Sequence, residues 1–212
     1  MTIGILNSNT GNMENIIKSI KYLGYKPIII EEKNQLLKIS HLIIPGVGSF
    51  PKIMDNLKKS KMDEVLKDYL KIDLKIMGIC LGMHIMFENS EELENRKGLH
   101  LIQGNIKKIN LSNFNDTKRY VPNLGYHKIQ KKNLTNSKSL FDKFNLENFY
   151  FSHSFKVWNY PNNDEIYEIS YFKENILALI IKNKNLIGCQ FHPELSGEKG
   201  LDFIDTFIKW SD

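Results

Sequence analysis

The stretch that most constrains this chain is Gly78-Ile79-Cys80-Leu81-Gly82-Met83-His84. It follows Lys75-Ile76-Met77, which reads as the end of a buried strand, and it opens Ile85-Met86-Phe87, which reads as the start of a helix. A cysteine at a strand-to-helix turn, with a glycine two residues to either side, has the form of a nucleophile elbow. Small flanking residues let the backbone make a tight, strained turn. That turn would hold the sulfur at the carboxyl edge of a sheet, where the unpaired N–H groups of the next helix favour thiolate. On its own the pattern also fits a buried structural cysteine, the commonest kind.

A second stretch weighs against that bland reading. Gly188-Cys189-Gln190-Phe191-His192-Pro193-Glu194 offers a histidine as general base and a carboxylate two residues on. Residues i and i+2 of an extended segment face the same way, so Glu194 is placed to orient the imidazole of His192. With Cys80 this completes a Cys-His-Glu triad.

The rest of the chain alternates. Ile3-Gly4-Ile5-Leu6, Lys26 to Glu31 (led by Ile28-Ile29-Ile30) and His41-Leu42-Ile43-Ile44 read as buried strands. Between the first two lies a helical pattern from about Met13 to Leu23, with Ile16, Ile17, Ile20 and Leu23 on one face and Gly24 at its end. Pro45-Gly46-Val47-Gly48 is the turn after the third strand, and Met54 to Leu70 reads as one amphipathic helix with Leu57, Val65, Leu66 and Tyr69 toward the core. Such alternation argues for a parallel sheet.

From Gly98 the pattern changes. Alternating apolar residues in Leu99 to Ile109, Tyr120 to Ile129 and Phe149 to Val157 predict antiparallel strands and hairpins on one side of that sheet. Asn133 to Asn148 reads as a polar loop with a short helix near Leu140 to Phe144. Strands near Ile176 to Lys182 and Leu186 to Phe191 lead into the His-Pro-Glu turn, and a last helix follows Gly197 with Leu201, Ile204, Phe207 and Ile208 as its buried stripe. The expectation is an α/β fold with a mostly parallel central sheet and an added antiparallel β portion, residues 1–212 forming a single domain.

GICLGMH together with GCQFHPE resembles the class I, triad-type glutamine amidotransferase family. Pro45-Gly46-Val47-Gly48-Ser49-Phe50, the Pro-x-x-Gly-aromatic segment from Pro122 to Tyr126, and His153-Ser154-Phe155 appear in the family's order. They narrow the resemblance to the glutaminase subunits of imidazole glycerol phosphate synthases, and the match runs from Ile3 to about Trp210.

That resemblance implies a flavodoxin-like sheet and hydrolysis of L-glutamine to glutamate and ammonia, with Cys80, His192 and Glu194 as the catalytic triad. Backbone N–H groups of Val47 and Leu81 would form the oxyanion hole, since charge develops on the amide oxygen as sulfur attacks. Glu92, twelve residues after the nucleophile, would hold the substrate's amine, while Gly48, His84 and the His153-Ser154-Phe155 segment would complete the glutamine pocket. No metal and no organic cofactor is required. Ammonia would be largely protonated if released into water, so the resemblance implies a channel to a separate (β/α)8-barrel cyclase or synthase subunit in a heterodimer.

Composition is compatible. The 212 residues carry 29 Lys+Arg against 24 Asp+Glu, a net +5, but the lysines are scattered among Asn and Glu, which reads as solvated surface and not as a nucleic-acid groove. Two cysteines make neither a zinc quartet nor a secreted disulfide framework. Met1-Thr2-Ile3-Gly4-Ile5-Leu6 lacks the basic flank and length of a signal peptide, and no apolar run is long enough to span a membrane. The expectation is a cytoplasmic protein with no membrane or nucleic-acid partner.

The chain also departs from the resembled pattern. His84 stands where Gln is usual, four residues after the cysteine and so one helical turn along on the same face. Pro122-Asn123-Leu124-Gly125-Tyr126-His127 replaces Pro-His-Met-Gly-Trp-Asn, Leu195 replaces Lys after the His-Pro-Glu turn, and Phe155 replaces Tyr. Several of these positions face the partner in the resembled enzymes. Two alternatives therefore stay open: a paralogous glutaminase feeding another synthase, such as a sugar amidotransferase in surface polysaccharide synthesis, and a non-catalytic binding subunit. A peptidase or γ-glutamyl hydrolase on a related fold fits the PGVGSF turn and the His-Ser segment less well.

Overall fold

The computed structural model describes residues 1–7, 13–46, 48–68, 74–110, 121–132, 139–172 and 174–210. In chain order the elements are β1 (Ile3–Leu6), α1 (Glu14–Tyr22), β2 (Pro27–Ile30), β3 (His41–Ile44), α2 (Phe50–Lys59), α3 (Met62–Lys67), β4 (Lys75–Ile79), α4 (Leu81–His84), β5 (Asn89–Ser90), β6 (Arg96–Lys97) and β7 (Asn105–Lys108). They continue with β8 (Asn123–Lys128), β9 (Gln130–Lys131), β10 (Asn148–His153), β11 (Phe155–Trp158), β12 (Glu165–Tyr171), β13 (Glu174–Lys182), β14 (Leu186–Cys189) and α5 (Gly197–Ile208).

Among the described residues the main sheet is eight-stranded, in the order β2-β1-β3-β4-β14-β13-β12-β9. The run β2-β1-β3-β4-β14 is parallel throughout. Its order is that of the flavodoxin-like doubly wound sheet, in which ligands sit outside the carboxyl ends of the strands. β13, β12 and β9 extend it antiparallel. Two smaller sheets, β10-β8 and β11-β7-β5-β6, make up the added β portion.

Alternation along each strand sends side chains to two cores. Ile3, Ile5, Ile43, Met77 and Ile187 pack with Ile16 and Ile20 of α1 and Phe203, Ile204 and Phe207 of α5. Leu6, Leu42, Ile44, Ile76 and Leu186 pack with Phe50, Ile53 and Leu57 of α2 and Leu66 of α3. β1, β3, β4 and β14 are thus buried on both faces, which is why they read as continuous apolar runs, whereas β2, expected to be a buried strand, lies at the edge of the sheet with Ile28 exposed and only Ile30 buried.

Two expectations for helices need correction. The stretch from Met54 to Leu70 is not one helix: α2 begins earlier, at Phe50, and is broken from α3 at Ser60 and Lys61. Ser60 Oγ donates back to Asn56 O and Leu57 O, and Lys61 turns to a left-handed φ of 55°. Leu57 and Leu66 are buried as expected, whereas Tyr69 and Leu70 lie outside the described residues. The helix after Cys80 is a single turn, Leu81–His84. Beyond it Ile85 O and Met86 O accept the N–H groups of Leu99 and Leu101, so this backbone docks against the Gly98–Leu101 segment instead of continuing as α-helix. Glu88 and Glu91 brace the small sheet, their carboxylates accepting the N–H groups of Gly104 and Lys108.

Candidate active site

Cys80 sits immediately after β4 at φ 50° and ψ −107°. A positive φ is costly for a side chain with a Cβ, and the neighbourhood compensates. Cys80 N–H donates to Cys189 O of the adjacent strand at 2.7 Å, and His84 N–H donates back to Cys80 O. The flanking glycines are needed for proximity: a Cβ on Gly82 would lie 2.0 Å from Ile44 O, and one on Gly46 would lie 1.8 Å from Ile79 O. The β3 turn and the β4 elbow can therefore press together only because both carry hydrogen alone.

β14 delivers the second half of the site. Gln190 N–H donates to Ala178 O and His192 N–H to Tyr150 O of β10, which fixes the strand's exit. Ser196 Oγ donates to His192 O and accepts from Tyr150 N–H, closing the His-Pro-Glu turn. Within it His192 Nδ1 lies 2.8 Å from Glu194 Oε1, with the two side chains only 6% and 8% exposed.

Burial opposes a charge on His192, but hydrogen bonds and opposite charge from Cys80 and Glu194 outweigh it and push the imidazole up to about 10. The ring thus sits between the sulfur and the carboxylate as a proton holder. Cys189, the other cysteine, is fully buried, and its thiol is pushed well up by that burial. It donates to Gly78 O and stays a core residue.

A cavity of about 500 Å³ opens over these groups. Gly48, Cys80, Leu81, His84, Glu92, His153, Ser154, Phe155, His192 and Glu194 all line it, so the structure brings together every expected site residue except Val47, which lies outside the described residues. Leu81 is the first residue of α4, and its N–H has no acceptor one turn back within the helix. Gly46 lies against that nitrogen, since a Cβ there would be 2.5 Å from Leu81 N.

The acidic and imidazole groups of the wall have distinct states. Burial raises Glu92, opposed by the backbone N–H of Phe50 at the start of α2. Burial lowers His153 to about 3, against the pull of Phe155 O and aided by the nearby imidazoles of His84 and His192. Its Nδ1 donates to Phe155 O at 2.7 Å, so Nε2 is the acceptor for the Asn123 amide at 2.9 Å. Burial likewise lowers His84 to about 4, against its bond to Gln190.

Some functional neighbours were not assigned from sequence. Gln190, within the GCQFHPE stretch, reaches both Cys80 Sγ and His84. Asn15, Pro122, Tyr150 and Leu195 join the cavity rim. Asn15 is the second residue of α1, four after Gly11, a spacing that carries no chemistry of its own. Among the described residues, no three His, Cys, Asp or Glu side chains are grouped to hold a metal ion. No helix among them is long and apolar enough to cross a membrane.

Comparison with known proteins bears on this geometry. The family model described as "Glutamine amidotransferase class-I" matches residues 5–210. The imidazole glycerol phosphate synthase subunit HisH of Lactococcus lactis subsp. lactis (strain IL1403) is 34% identical over 208 residues, covering 98% of each chain. The protein of the same name from Bacillus mycoides (strain KBAB4) is 34% identical over 206 residues, 97% of this chain and 93% of that one. Among solved structures, PurLQS from Thermotoga maritima superposes with a TM-score of 0.70 at 16% identity, covering 99% of this chain and 98% of that one. A crystal structure described as a glutamine amidotransferase gives the same score and identity over 98% and 99%. At such identities these two speak for the fold alone. The family match spans nearly the whole chain, and this protein belongs to the class I glutamine amidotransferases, enzymes that hydrolyse glutamine.

Proposed function

We propose that this chain is the glutaminase subunit of an imidazole glycerol phosphate synthase, acting in the cytoplasm as one domain of residues 1–212 in histidine biosynthesis. The observation that carries the catalytic part is the enclosure of Cys80, His192 and Glu194 in one cavity, with the His192–Glu194 contact at 2.8 Å. The HisH relatives, at 34% identity over nearly the full chain, support the choice of synthase.

In this reading His192 takes the proton of Cys80, and the sulfur attacks the side-chain amide carbon of glutamine. The oxygen that gains charge is held by the N–H groups of Leu81 and Val47. The imidazolium of His192 then protonates the leaving nitrogen, the C–N bond breaks, and ammonia departs from a γ-glutamyl thioester on Cys80. Water attacks the thioester carbonyl, giving up its proton to His192. The C–S bond breaks to free glutamate, and the sulfur recovers its proton. Glu194 holds the imidazole and supports its charge. Glu92, with its carboxylate at the cavity wall, faces the substrate's amine, and Gly48, His84, His153, Ser154 and Phe155 shape the rest of the pocket. Ammonia passes to a separate (β/α)8-barrel cyclase in a heterodimer.

One observation favours a second reading, a glutaminase serving a different synthase such as a sugar amidotransferase. Tyr126 and Leu195, both departures from the resembled pattern, are exposed beside the cavity, and Tyr126 Oη–H donates to Leu195 O. Ammonia release from glutamine, measured for the chain alone and with the barrel cyclase and its nucleotide ligand, separates the two. Strong stimulation that is lost in Cys80→Ala supports the histidine-pathway reading. No stimulation by the cyclase, with stimulation by a sugar-modifying partner, would replace it with the second.

A further inference from the structure

Behind the triad runs a second chain of polar contacts that ends on the same sulfur. His84 Nε2 lies 2.8 Å from Gln190 Oε1, and Gln190 Nε2 lies 3.6 Å from Cys80 Sγ. Gln190 is fully buried and His84 is 4% exposed. The hydrogens along this chain follow from its ends. Oε1 can only accept, so a neutral His84 carries its proton on Nε2 and donates. The amide of Gln190 is then oriented with its N–H toward the sulfur. Reversing it would set a carbonyl lone pair against a sulfur that must become negative.

We propose that His84 is a positioning residue for the nucleophile: through the side-chain amide of Gln190 it keeps an N–H donor on the sulfur of Cys80. This role rests on Cys80 being the nucleophile and is separate from the place of His84 in the pocket wall. A donor to sulfur stabilises thiolate over thiol. It also holds Sγ on the side of the elbow that faces the cavity, independently of His192. With its proton on Nε2 the buried imidazole donates to Gln190 Oε1 and holds the flexible amide in that orientation, which is where a histidine at position 84 does something a nonpolar residue could not.

Other groups face the sulfur and set the background for any titration. His192, backed by Glu194, lines the same cavity and exchanges charge stabilisation with it; Ser152 O lies 3.9 Å from it; Cys189 lies near it on β14; His153 faces the His84 and His192 rings. Burial keeps the His84 ring neutral near pH 7, so its contribution is a directed N–H and not a positive charge.

The test is alkylation of Cys80 by iodoacetamide on the full-length chain, followed by peptide mass spectrometry as a rate against pH. In His84→Phe and in Gln190→Leu the midpoint should rise by about one pH unit, the size of one lost donor to a thiolate. His84→Gln, whose amide can again donate to Gln190 Oε1, should return it to the wild-type value. A shift in Gln190→Leu without one in His84→Phe would overturn the role of His84. An unchanged midpoint in both would overturn the donor on sulfur. Should His84→Phe fail to fold, the proposal still requires a shift in Gln190→Leu and none in His84→Gln, and either opposite result overturns it. Absence of Cys80 alkylation in the wild type at every pH would instead overturn the assignment of the nucleophile.

Discussion

His192 is held between two groups that favour its charged form, and this gives the site a pH signature. The ring is raised to about 10 against its own burial by Cys80 and Glu194. Activity that needs the imidazolium to protonate the leaving nitrogen should therefore fall only as pH rises toward 10. Glu194→Gln removes one of the two supports, so the alkaline limb of kcat/KM should move toward neutral pH; a limb that stays in place would mean that Glu194 does not act through His192. Loss of Cys80 or His192 should lower kcat by several orders of magnitude, measured as ammonia release. At this scale the grouping of Cys80, His192 and Glu194 was legible because each lies in a short motif, a cysteine between glycines and His192 two residues from Glu194, although Pro193–Leu195 is a 3-10 turn and not the extended segment expected to align them. Gln190 was not, although it lies two residues from His192 in the same stretch. Its partners are Cys80 and His84, which only the β4–β14 pairing brings within reach.

The elbow works because two turns share one space. A methyl on Gly82 or Gly46 would be driven into a carbonyl of the neighbouring strand. Gly82→Ala should therefore cost about 2–3 kcal/mol or more in denaturant unfolding, together with most of the activity, since relief requires moving the Cys80 turn. A loss under about 0.5 kcal/mol would show the turns to be freer than the geometry implies. The opposite sign is expected at Lys61, whose left-handed φ of 55° breaks α2 from α3. Lys61→Gly should stabilise the chain by about 0.5–1 kcal/mol, the strain relieved exceeding the added freedom of the unfolded chain. Sequence could not show that break, because the apolar spacing from Met54 to Leu66 continues across it. The buried parallel strands were legible as apolar runs. β12, with the sequence EIYEISY, was not anticipated, since its glutamates look solvated until Glu168 is seen taking Tyr160 and Lys132 as partners. β5 and β6, two residues each, are too short to carry any period.

Across the whole molecule, buried imidazoles set the acid side of stability and His192 the alkaline side. Burial holds His41 and His84 at about 4, and His153 at about 3. Unfolded, each titrates near its ordinary value of 6.5. Below that pH the unfolded chain binds protons that the folded chain refuses, so stability should fall as pH drops from about 6.5 toward 4. His192 has the reverse sign: its stabilisation is complete below its unfolded value and is lost as pH rises through about 10. Thermal unfolding between pH 4 and 7 checks the acid side. His41→Phe, remote from the cavity with its ring edge-on to Phe207, should flatten that slope without changing the alkaline limb of activity. An unchanged slope would mean that His41 is already protonated when folded. In the proposed function the architecture serves one event, the transfer of a γ-glutamyl group to Cys80. Mass spectrometry of the chain quenched in acid during turnover of L-glutamine tests that event most directly. A γ-glutamyl adduct is expected on the peptide carrying Cys80 and none on that carrying Cys189, with the Cys80 adduct accumulating in variants that slow attack by water. Turnover of glutamine with no adduct on Cys80, or with the adduct on Cys189, would contradict it.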